Sequence, residues 1–165
     1  VTVALDVPLA RTGALAVSLA AATVGPQSAA LTLAIVAREP LSGADDLRLG
    51  VAFADGRRCV ARSMPLGAPP EPEGDAEREI LLWTRDPGAG GGRVQRVSYL
   101  LWPLPPAGPL TLTFVWPARG VGEVTAEVDG GRLREAAARV VELWPDERPD
   151  PPAEPGEGWL RYAAS

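Results

Sequence analysis

Apolar and polar side chains alternate with a period of two through almost all of the chain up to residue 129, the pattern of strands buried on one side. Val1, Val3, Leu5, Val7 and Leu9 fall on one face of a first strand, with Thr2, Ala4 and Asp6 opposite. Pro8 donates no backbone hydrogen bond, so this strand is expected at a sheet edge. Arg11-Thr12-Gly13 turns the chain, and Leu15, Val17 and Leu19 then alternate with Ala14, Ala16, Ser18 and Ala20. After Gly25-Pro26 the pattern returns as Leu31, Leu33 and Ile35. Bulky side chains mark the core face, and the alanine face suits close approach by another layer.

Leu47, Leu49, Val51 and Phe53 lead into Asp55-Gly56, and residues 57–62 return. An Asp-Gly pair between alternating segments predicts a hairpin with a type I′ turn, where both central residues take positive φ. The polar stretch 63–77, with Pro65, Pro69, Pro70 and Pro72, predicts a long surface loop. Ile80 to Thr84 forms the next strand and carries Trp83. The glycine-rich run 86–92 reads as a flexible connection. Val94–Trp102 and Leu110–Trp116 flank the proline-rich run 103–109, expected to be a stiff link. PxxP spacing occurs there, but a link between two strands is not a free ligand for an aromatic groove. Val124, Ala126 and Val128 make a last strand.

The period then changes. Leu133, Ala136, Ala137, Val140, Val141 and Trp144 form the stripe of an amphipathic helix over 131–144, capped by Asp129 and stopped by Pro145. The predicted fold is all-β with one helix: an antiparallel two-layer β-sandwich, immunoglobulin-like or similar, of eight or nine strands plus the C-terminal helix. Residues 1–145 make the domain. Residues 146–165 make an acidic, Pro-rich tail, expected to be mobile because it lacks large apolar side chains before Trp159, Leu160 and Tyr162.

Composition narrows the chemistry. The 165 residues are 46% apolar and 22% charged, ordinary for one globular domain. There is no His, Lys or Asn, and all 16 basic residues are Arg. A triad or metal-ligating His, a Schiff-base Lys and a P-loop Lys are therefore all excluded. Gly88 and Gly90 begin a G-x-G, but Arg93 holds the third required position and a strand pattern follows. Glu71, Glu73, Asp75, Glu77 and Glu79, and the pair Asp45-Asp46, lack the arrangement of a glycosidase pair or a calcium loop and read as surface charge. The expectation is a protein that is not an enzyme, with no cofactor and no metal.

The net charge of −5 argues against nucleic acid as a partner. The charge-free stretch from Thr12 to Ala37 is broken at Gly25-Pro26-Gln27-Ser28, so no membrane span is expected. No signal-peptide pattern is visible, and a cytoplasmic location is the expectation. Cys59 stands alone, reads as a small strand residue and forms no internal disulfide.

Tyr99-Leu100-Leu101-Trp102-Pro103-Leu104-Pro105-Pro106, Gly108-Pro109-Leu110 and Trp116-Pro117 carry a distinctive tryptophan-proline pattern. With Leu49–Arg57 before it and Asp129-Gly130, Leu133, Ala136-Ala137 and Leu143-Trp144-Pro145 after it, residues 47–145 resemble a family of small β-rich proteins from high-GC bacteria with no known function. The resemblance implies a small bacterial β-rich protein and supplies no functional residues.

Candidate binding residues are aromatic and basic. Five of the nine aromatics are Trp. Trp102, Trp116 and Trp144 share apolar faces and are expected in the core. Trp83 alternates with Leu81 and Glu79, which leaves a place for it at the surface. Arg57 and Arg58 lie side by side on the hairpin, pointing to opposite faces. The candidate interaction surface is Trp83, Arg57, Arg58, Trp159 and Tyr162. The expected function is a non-catalytic module that binds another protein; the alternative is carbohydrate binding on an exposed aromatic platform.

Overall fold

The computed structural model describes residues 1–41, 46–63, 79–84 and 92–141. They form two packed sheets and one helix. The strands are β1 (Thr2–Arg11), β2 (Leu15–Val24), β3 (Ala29–Leu41), β4 (Arg48–Ala52), β5 (Arg58–Val60), β6 (Arg62–Ser63), β7 (Leu81–Thr84), β8 (Gly92–Trp102), β9 (Pro109–Trp116) and β10 (Val121–Asp129). The larger sheet has the order β1-β2-β3-β8-β7-β6 and the smaller one β10-β9-β4-β5. Pairings are antiparallel except that of β6 with β7, which is parallel.

The alternation read from the sequence becomes the interior. Leu19, Leu31, Leu33, Ile35 and Leu101 point inward from the larger sheet, and Leu49, Leu110, Leu112, Phe114 and Trp116 from the smaller; all are fully buried. Side chains of this size each contribute roughly 1.5–3 kcal/mol when removed from water. As expected, β1 with Pro8 is an edge strand. It lies beside β10, where the two sheets come together along one side. Within β2 the register shifts between Leu19 and Ala21. That bulge moves the inward positions from odd to even numbers, so Ala22 and Val24 are buried after Leu15, Val17 and Leu19.

Two local expectations are corrected. The turn after β4 is not type I′. Gly56 has φ of 90°, but Asp55 is not among the residues with positive φ. Gly56 N–H donates to the Phe53 carbonyl at 3.0 Å and Phe53 N–H to the Arg57 carbonyl at 2.8 Å. This is a three-residue loop, a type I turn closed by a left-handed glycine, which needs positive φ at one position only.

The helix, α1, spans Gly130–Ala137 and not 131–144. Asp129 caps it as expected, its carboxylate accepting from Gly131 N–H at 2.8 Å. Leu133 and Ala136 are buried against the sandwich, whereas Val141 is 75% exposed. A helix this short is held by its packed face rather than by propensity. Beyond Ala137, Val140 is half-buried and Val141 exposed, and the chain tightens through Arg139 N–H to Ala136 O and Val140 N–H to Ala137 O. Trp144 and Pro145 lie outside the described residues.

The proline link is built into the end of the sandwich. Leu104 and Pro105 are buried. Leu104 N–H donates to the Gln27 carbonyl at 2.9 Å, and Arg134 Nε donates to the Pro105 carbonyl at 2.7 Å. Its PxxP prolines, Pro103, Pro106 and Pro109, are half-buried or exposed. Of the glycine-rich run 86–92, only Gly92 lies within the described residues.

Candidate functional site

One segment belongs to both sheets. Residues 58–60 pair with β4 in the smaller sheet, and residues 62–63 pair with Trp83 and Thr84 in the larger. Ala61 is the crossing point, its N–H still donating to the Leu49 carbonyl at 2.8 Å. The sequence gives no sign of the crossing.

The ladder dictates which main-chain groups stay free. Across the hairpin Phe53 N–H donates to the Arg57 carbonyl and Ala61 N–H to the Leu49 carbonyl, which marks these as the bonded positions. Antiparallel pairs alternate between bonded and non-bonded. Arg58 and Val60, opposite Ala52 and Gly50, therefore direct their N–H and C=O groups away from β4. β5 ends its sheet, so that edge has no strand beside it among the described residues.

Across from this edge run Glu79, Ile80 and the start of β7. Between them lies a groove of about 780 Å³ lined by Arg58 to Arg62 and Glu79 to Trp83. Arg58 and Arg62 make it basic, with Glu79 on the opposite wall. Val60 is 62% exposed and Trp83 is partly buried. Over the outer face of the smaller sheet a second hollow of about 600 Å³ shares Arg58, Cys59 and Val60 and adds Arg48, Gly50 and Thr113. Gly50 shapes its floor: a Cβ there would stand 3.4 Å from the Cys59 carbonyl oxygen.

Burial pushes the Cys59 thiol up to about 11, against the opposing pull of the Arg62 charge, so it stays protonated at neutral pH. Among the described residues no three His, Cys, Asp or Glu side chains gather as metal ligands would.

The candidate residues divide. Trp83 and Arg58 come together in the groove. Arg57 instead secures the turn: its Nε and Nη2 donate to Asp55 Oδ2 at 2.9 and 2.7 Å, and its guanidinium lies 5.2 Å from the centre of the Phe53 ring. Trp159 and Tyr162 lie outside the described residues, as do Asp45, Glu71, Glu73, Asp75 and Glu77. Trp102 and Trp116 are buried as expected, and every other described aromatic is buried too, so among the described residues Trp83 has no exposed ring beside it. Sequence reasoning missed Arg62, Val60 and Leu81, whose grouping depends on the non-local pairing of residues 62 and 83.

No family model, no curated protein and no solved structure matches this chain.

Proposed function

We propose that this protein is a non-catalytic protein-interaction module on an immunoglobulin-like sandwich, and that it receives an extended segment of its partner along β5. The observation that carries this reading is the pair of outward main-chain groups at Arg58 and Val60, facing a groove walled by a second backbone at Glu79–Leu82. An added strand would satisfy those groups, and the side-chain pockets beside Val60 and Trp83 would select its residues. The arginine positions favour carboxylates on the incoming chain. Carbohydrate binding has less support, since a sugar platform calls for more ring surface than Trp83 offers.

Quantitative affinity capture from the native cell extract tests this, comparing the full chain with Val60→Pro and Trp83→Ala. Proline removes the outward N–H of Val60 without touching a bond to β4. A partner retained by the parent and lost from both folded variants is expected. Identical capture by all three, or capture by none, overturns the reading.

A further inference from the structure

The outer face of the larger sheet is a grid of small side chains set by register. One row across it reads Arg11, Ala16, Val36, Val94, and the next reads Pro8, Ser18, Ala34, Arg96. Val36 and Val94 are direct cross-strand partners, and they are 53% and 59% exposed. Side by side on the outer face, these two valines make a small apolar spot in contact with water. Arg96 is two residues along β8 from Val94, about 7 Å away on the same face. Arg38 is two residues along β3 from Val36, and Arg11 lies three strand spacings from Val94, about 14 Å. These three arginines are exposed, and no side chain among the described residues pairs with any of them.

We propose that the Val36–Val94 pair and the rim of Arg11, Arg38 and Arg96 seat an acidic segment of a partner protein that also carries aliphatic side chains. Charge complementarity selects the occupant. In the two rows of this face the charged side chains are Arg11 and Arg96, with Arg38 two residues along β3 from Val36, so the rim presented here is positive. Carboxylates of the partner meet guanidinium groups at the rim, where paired charges steer and orient. Its aliphatic side chains cover the valines. Ala16, Ser18 and Ala34 between them are small enough to let a backbone come close. A two-fold contact of this patch with itself does not fit, because it would place arginine against arginine. A nucleic-acid strand leaves the valine pair uncovered. The patch lies at the opposite end of β8 from Leu100, the partner of Trp83, so it does not rest on the β5 groove.

A display library of random dodecapeptides, panned on the full chain with Arg96→Glu as counter-selection, tests the proposal. Enriched peptides are expected to combine Asp or Glu with Leu, Ile or Val. Their affinity should fall at least tenfold on Arg96→Glu and on Val94→Ser, and should be unchanged on Val60→Pro. Both substituted residues are exposed, and circular dichroism confirms folding of each variant. The proposal is overturned by an absence of enrichment, by winners without net negative charge, by equal affinity for Val94→Ser, or by a single-stranded DNA dodecamer binding as tightly as the peptides.

Discussion

The backbone N–H of Gly130 donates to the carbonyl oxygen of Gly108 at 2.8 Å, tying the start of the helix to the end of the proline link. The approach leaves no room for a side chain. A Cβ on Gly130 would stand 2.5 Å from the Pro106 carbonyl oxygen and 3.0 Å from that of Gly108. Gly130→Ala is therefore expected to lower stability by about 1–3 kcal/mol through forced displacement of backbone, read as a lower urea midpoint. Gly122→Ala, with nothing within 4 Å of the new Cβ, should stay within about 0.5 kcal/mol of the parent.

Trp116 fills the interior at the end of β9 and is fully buried, with the Arg119 guanidinium 5.8 Å from its ring centre. Trp116→Ala should cost about 3–5 kcal/mol, the sum of lost transfer energy and the cavity left behind. Denaturant unfolding followed by circular dichroism measures it. Arg119→Ala, at the surface, should cost far less.

Cys59 offers a pH-dependent probe of the groove. Its thiol is raised from 9.0 to about 11 by burial. A raised value means the folded state prefers the protonated thiol, so this contribution to stability is complete below pH 9 and is lost as pH rises towards 11. At pH 8 the unfolded chain should react with a disulfide reagent about 100-fold faster than the native protein, from thiolate population alone. Equal rates in the presence and absence of urea would show that the groove does not shield the sulfur.

Asp55 and Arg57 behave oppositely. Hydrogen bonding from the Arg57 side chain holds the Asp55 carboxyl below its usual 3.8. A depressed carboxylate stabilises the fold above that ordinary value, and the gain is lost as pH falls through the lowered one. An NMR titration should find the Asp55 midpoint below 3.8 in the parent and higher in Arg57→Ala, which keeps only the bond from the backbone N–H of residue 57.

How far the sequence reveals this molecule follows the range of each interaction. Leu31-Leu33-Ile35 and Leu110-Leu112-Phe114 declare an inward face through spacing alone, and the sheets confirm both. The end of the helix is not legible because the apolar spacing runs on to Trp144, while the described side chains of the stripe that pack on the core end at Ala137. The turn at Asp55-Gly56 was half legible: glycine's positive φ was readable, but its partner's conformation depends on how Phe53 and Arg57 pair. Of the candidate site, Arg58 and Trp83 were legible as residue types. Their meeting was not, since it depends on the pairing of Arg62 with Trp83 across a separation of 21 residues.

The crossing at Ala61 bears on how the protein comes apart. A run of six residues, 58–63, is stitched into both layers. Peeling one layer away would tear the same short ribbon out of the other. Heat or pulling force should therefore find a single mechanical unit, with both layers failing in one event and no half-open state in which either survives alone.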